Sequence, residues 1–159
     1  MKRWMLGLAL LAVATAWGLA EKAKGVSYPE GYRRWYHVKT LVLQAGHPLY
    51  DAFGGIHHVY ANEKAKQGLS TGKYANGAVF VFDLLEAPVE GNALSEGSRK
   101  LLAVMEKDSN RFADTGGWGF QAFSAGDPQK PIVVNAKEQC FSCHESQKDK
   151  DFVFSSWRP

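Results

Sequence analysis

Two cysteines stand in a chain of 159 residues, and both fall in one pentapeptide, Cys140-Phe141-Ser142-Cys143-His144. This CxxCH run constrains the chain more than any other feature. Thiols at that spacing can add across the two vinyl groups of a haem while the adjacent histidine reaches the iron. Three other readings use the same residues. A redox-active CxxC disulfide usually opens a helix in a βαβ setting, and that alternation is missing. A zinc site needs a fourth ligand and usually a second Cys/His pair at comparable spacing, which is also missing. An accidental match in a reduced cytosolic protein is disfavoured by the amino terminus.

There, Lys2 and Arg3 precede an uncharged stretch rich in Leu and Ala, from Trp4 to Trp17. Gly18-Leu19-Ala20 then offers small residues at the minus-three and minus-one positions of a cleavage site. The pattern is that of a secretory signal peptide over residues 1–20, which implies an exported, periplasmic protein. A membrane anchor would need a span of ~20 apolar residues, and this stretch is shorter. Removing the leader takes two of the 19 basic residues and none of the 16 acidic ones. The formal charge of +3 then falls to about +1, and no basic patch remains to recommend nucleic acid.

With 45% hydrophobic and 22% charged residues, the composition is that of a folded globular chain rather than a disordered one. No repeat or linker divides residues 21–159, which read as a single c-type haem-binding domain. Strands are expected over Val38 to Leu43, Gly54 to Tyr60, Ala78 to Leu85 and Trp118 to Phe123. Arg99 to Lys107 suits a short helix or a strand, and antiparallel logic favours the strand. Asn62 to Leu69 is helix-favouring, with Asn62 placed as N-cap and Gly72 as stop. Asn76-Gly77 has the chemistry of a hairpin turn. In Ala78 to Leu85, alternation sets Val79, Val81 and Asp83 on one face and Phe80, Phe82 and Leu84 on the other. The fold class is therefore α+β, predominantly an antiparallel sheet with a few helices and a C-terminal haem-attachment segment.

The position of the motif matters. Small electron-transfer cytochromes c commonly attach haem near the N-terminus and use a methionine as second axial ligand. Here the motif is C-terminal. Met1 and Met5 lie in the leader, and Met105 sits among alternating apolar residues, as a core side chain would. The histidines besides His144 are His37, His47, His57 and His58. His57 and His58 are neighbours on a strand, so only one of them can face a haem.

Beyond the motif, the chain resembles the cytochrome P-460 / cytochrome c′-beta family from the end of the leader almost to the C-terminus. The segments that carry the likeness begin with Tyr32-Arg33-Arg34-Trp35, Val59-Tyr60, and Thr71-Gly72 through Gly77-Ala78-Val79. They continue with Lys107-Asp108-Ser109-Asn110-Arg111-Phe112-Ala113, Gly117-Trp118-Gly119-Phe120, the CxxCH, and Asp151-Phe152-Val153-Phe154. The resemblance implies a homodimer with one haem c per subunit, held through Cys140 and Cys143. It also implies five-coordinate iron, with His144 as the proximal metal ligand.

The family divides chemically. Its hydroxylamine-oxidising enzymes cross-link the haem to a lysine, whose position falls at Phe82, and employ a distal acid, whose position falls near Asp114-Thr115-Gly116. The c′-beta branch caps its distal pocket with two phenylalanines, matched here by Phe82 and Phe53. The resemblance thus favours the c′-beta branch. An apolar cap suits nitric oxide and carbon monoxide, which need a hydrogen-bond donor less than dioxygen does, and it denies hydroxylamine chemistry an acid–base group. The leading expectation is binding of NO, and of CO, for sensing, sequestration or detoxification. The alternatives are a hydroxylamine- or NO-oxidising enzyme and an electron-transfer cytochrome with a redox partner protein.

Overall fold

The computed structural model describes residues 25–158. The expected leader, with Met1 and Met5, lies outside the described residues. No helix among them is long and apolar enough to cross a membrane.

Five strands form one sheet: β1 (Tyr36–Leu43), β2 (Gly55–Ala61), β3 (Val79–Leu85), β6 (Arg99–Lys107) and β7 (Trp118–Ser124). Their spatial order is β1-β2-β3-β6-β7, and every neighbouring pair runs antiparallel. A two-stranded ribbon, β4 (Val89–Glu90) and β5 (Ala93–Leu94), fills the connection from β3 to β6. It had no signal in the sequence beyond Glu90-Gly91-Asn92. The α+β class with a mainly antiparallel sheet holds.

Register explains why Arg99–Lys107 is a strand. Val104 lies opposite Val81 on one side and Gln121 on the other, and Met105 lies between Phe80 and Phe120. Two partners satisfy its backbone, which a helix of nine residues would have to do alone.

Helix α1 (Tyr50–Phe53) is a single turn before β2, and α2 (Glu63–Gly68) joins β2 to β3. Asn62 caps α2 as expected, its Oδ1 accepting from the Ala65 N–H at 2.9 Å. The same oxygen accepts from the Val79 N–H at 3.1 Å, while Nδ2 donates to the Gly77 carbonyl at 2.9 Å. One side chain thus fixes both the helix start and the entry to β3. Asn62→Ala is expected to lower stability by about 1–2 kcal/mol, read as a lower urea midpoint at unchanged m-value.

The hairpin expected at Asn76-Gly77 is not there. The pair does turn the chain, with Gly77 at φ +85°, but α2 precedes it rather than a strand. Its partners lie elsewhere: the Gly77 N–H donates to the Lys107 carbonyl at 2.7 Å, and Asn76 Oδ1 accepts from the Ser109 N–H at 3.0 Å. Local turn chemistry was right, and the tertiary environment decided what the turn connects.

The two faces of the sheet carry different cores. One gathers Tyr32, Val81, Leu102, Val104 and Phe123. On it Asp83 is fully buried, an arrangement that needs partners. Tyr32 Oη donates to it at 2.6 Å and Arg99 Nε at 2.6 Å, with Arg33 at 3.3 Å. Burial is the main reason the Tyr32 hydroxyl is pushed up to about 12. The other face gathers Val59, Phe80, Met105, Trp118 and Phe120, and the C-terminal segment packs onto it through Phe141, Cys140, Phe152 and Val153.

Candidate functional site

Residues 137–146 form a helical run, beginning as a wide π-helical turn over Lys137–Phe141 that contains Cys140 and ending at a kink at Gln147. Turns of that kind often mark functional sites. Cys140 is half-buried against the sheet and Cys143 is exposed. Burial pushes the Cys140 thiol up.

His144 follows on the same run, and its surroundings settle its chemical form. Nδ1 is 2.8 Å from the Phe152 carbonyl, which can only accept, so Nδ1 carries the hydrogen. Burial lowers the imidazole pKa. A neutral ring with its hydrogen on Nδ1 leaves the Nε2 lone pair for a metal, the arrangement that backbone carbonyls impose on metal-ligating histidines. The rings of Phe120 and Phe154 flank it, with centroids at 4.9 and 5.0 Å.

The carbonyl that orients His144 is itself held. Asp151 and Phe152 adopt left-handed backbone conformations, φ 50° and 65°, which cost energy for residues with a side chain. The surroundings fix them: Lys107 Nζ donates to Asp151 Oδ1 at 2.6 Å and the Tyr74 N–H to Oδ2 at 3.1 Å. Trp118 Nε1 donates to the Asp151 carbonyl at 2.8 Å. Asp151-Phe152 counted in the sequence only toward the resemblance, and its supporting role had no local signal.

Phe82 and Phe53 meet. Their ring centroids are 6.1 Å apart and the planes nearly perpendicular. Phe82 shares a face with Phe80 and Leu84 as alternation required, and that face carries the Cys140 segment. Phe80 and Leu84 are buried there, whereas Phe82 between them is only half-buried and Phe53 is 37% exposed. Neither ring is an ordinary fully packed core side chain.

The two neighbouring histidines separate as the strand period demands. His57 is buried beside Phe82, ring centroids 4.6 Å apart, with Nε2 bonded to the Phe53 carbonyl. His58 points to the opposite face, where Nδ1 is 2.8 Å from Thr40 Oγ1 and Nε2 is 2.7 Å from Glu96 Oε1. Met105 is buried in the sheet core between Phe80 and Phe120. Asp114 is exposed on a short turn, Ala113–Thr115, and the following Gly116 abuts the Phe152 ring.

A family model, Cytochrome P460, matches residues 29–155. A search of curated proteins finds no match. The chain belongs to the cytochrome P460 family, and membership implies a haem of c type. The residues present fit one. Two thiols a helical turn apart are followed directly by an imidazole of fixed tautomer, with Cys140 and His144 against the apolar sheet face and Cys143 exposed.

Proposed function

We propose that this member of the cytochrome P460 family is an exported c-type haem protein that binds nitric oxide, and carbon monoxide, on an apolar distal wall. Cys140 and Cys143 would hold the haem through thioethers, and His144 Nε2 would bind its iron. When bound, the haem would supply an iron able to take a diatomic ligand. Phe82 and Phe53 would line the pocket that the ligand enters, and the functional unit would be a homodimer with one haem per subunit.

The observation that carries this reading is the aromatic pair itself. By the family resemblance, Phe82 falls where the hydroxylamine-oxidising members carry their cross-linking lysine, and Phe53 closes against it edge to face. The one imidazole beside them, His57, has its Nε2–H committed to the Phe53 carbonyl. Among the described residues, the two phenylalanine rings offer a bound ligand no hydrogen-bond donor, and the Nε2–H of the imidazole beside them is already engaged, which favours NO and CO over dioxygen. Met105, buried in the sheet, is a poor sixth ligand for an electron-transfer centre.

Such a protein would sense, sequester or detoxify NO. The test is the absorption spectrum of purified holoprotein, with and without NO. Five-coordinate, high-spin iron that shifts on adding NO is expected. Low-spin six-coordinate iron at rest would return the protein to electron transfer, and a red-shifted, cross-linked haem would make it an enzyme.

A further inference from the structure

The Phe53 ring is the less anchored of the two aromatic side chains. It is 37% exposed and belongs to α1, a single turn of four residues that cannot hold itself together in isolation. Its position therefore depends on what grips the backbone around it. Lys100 Nζ donates to the next carbonyl, that of Gly54, at 2.8 Å. His57 grips the Phe53 carbonyl itself. Of these two, only His57 also touches Phe82, ring against ring at 4.6 Å.

Chemistry fixes the direction of that grip. A carbonyl oxygen accepts and never donates, so His57 Nε2 bears the hydrogen. The ring is 2% exposed, and a donor nitrogen at that depth is costly to leave without its acceptor. The bond thus orders the α1–β2 joint and the His57 ring together. Strand period keeps the ring on this face: His57 pairs with Leu84 and Leu41 across the sheet, so it cannot rotate away without breaking register.

We propose that His57 is a positioning residue for the distal wall: it buttresses Phe82 with its ring and holds Phe53 against Phe82 through the Phe53 carbonyl. It acts through the two phenylalanines rather than on the iron or its ligand. The inference rests on the reading of Phe53 and Phe82 as the wall of the ligand site. It makes His57 a determinant of how readily small ligands enter.

The test is CO association after flash photolysis of reduced holoprotein in five forms: wild type, His57→Leu, His57→Gln, Phe53→Ala and the His57→Leu/Phe53→Ala double variant. His57→Leu keeps an apolar volume but removes the donor, so association should rise about fivefold with five-coordinate iron retained. His57→Gln, which can still donate to the carbonyl, should stay within about twofold of wild type. In the Phe53→Ala background, His57→Leu should add little, because the ring it positions is gone. His57→Met replaces His57→Leu if the latter does not fold. Acceleration by Phe53→Ala with none from His57→Leu overturns the positioning role alone. A His57→Leu effect that persists undiminished without the Phe53 ring overturns it as well. No acceleration by Phe53→Ala itself overturns the wall, a separate failure.

Discussion

Replacing Cys140 and Cys143 together with alanine is expected to abolish covalent retention of haem, the largest change any substitution in this chain should produce. Each thioether would arise by addition of a thiol across a vinyl group, sulfur bonding to one carbon while hydrogen goes to the other. No other cysteine exists in the 159 residues to substitute. Acid–acetone treatment of denatured wild-type protein should leave haem on the polypeptide, and the double variant should lose all of it to the solvent phase. Either single variant should retain haem through one bond and show the spectrum of a haem with one intact vinyl group. His144 keeps its Phe152 partner in all three, so any haem held without thioethers depends on the imidazole and the apolar face alone. Complete extraction from the wild type would refute covalent attachment at this motif.

How much of this was legible beforehand depends on how local each signal is. The CxxCH run is contiguous, so its chemistry could be read without a fold. The faces of β3 were equally legible, because alternation places Phe82 with Phe80 and Leu84 wherever the strand goes. The helix cap at Asn62 followed from its type and position. Less accessible was anything created by distant segments. The Asn76-Gly77 turn was recognisable as a turn, but its partners are Lys107 and Ser109, and nothing nearby announces them. Alternation set Asp83 on a face with Val79 and Val81; that it is buried with Tyr32 and Arg99 requires residues 51 and 16 positions away. The support of His144 is the extreme case. It runs from Phe152 through the left-handed Asp151 to Lys107 on β6, Trp118 on β7 and Tyr74 before β3. His57 was visible as a strand histidine with a choice of faces. Its bond to Phe53 depends on how the Gly54-Gly55 joint, with Gly55 at φ +131°, folds α1 back over the strand.

Phe82→Ala is expected to accelerate CO association by about tenfold or more, since lowering the entry barrier by 1.4 kcal/mol suffices for that factor. The ring stands between two buried neighbours on its face yet is itself half-buried, so its removal opens the region against which Phe53 closes. Truncating a fully buried phenylalanine costs ~3–5 kcal/mol, and the partial exposure of Phe82 sets its own cost below that range. The variant should therefore fold and keep His144 as ligand, which makes the rate interpretable. Phe80 is the internal control. It lies two residues away on the same face but is 5% exposed, packed edge-on against Tyr74 at 5.3 Å and tilted against Trp118 at 6.2 Å. Phe80→Ala should lose stability near the full amount while leaving CO association close to wild type. A rate that rises for Phe82→Ala and not for Phe80→Ala separates a ring that gates the site from one that merely fills the core. Equal rates in wild type and a well-folded Phe82→Ala variant would place that ring in ordinary sheet packing and remove the reason for preferring gas binding to catalysis.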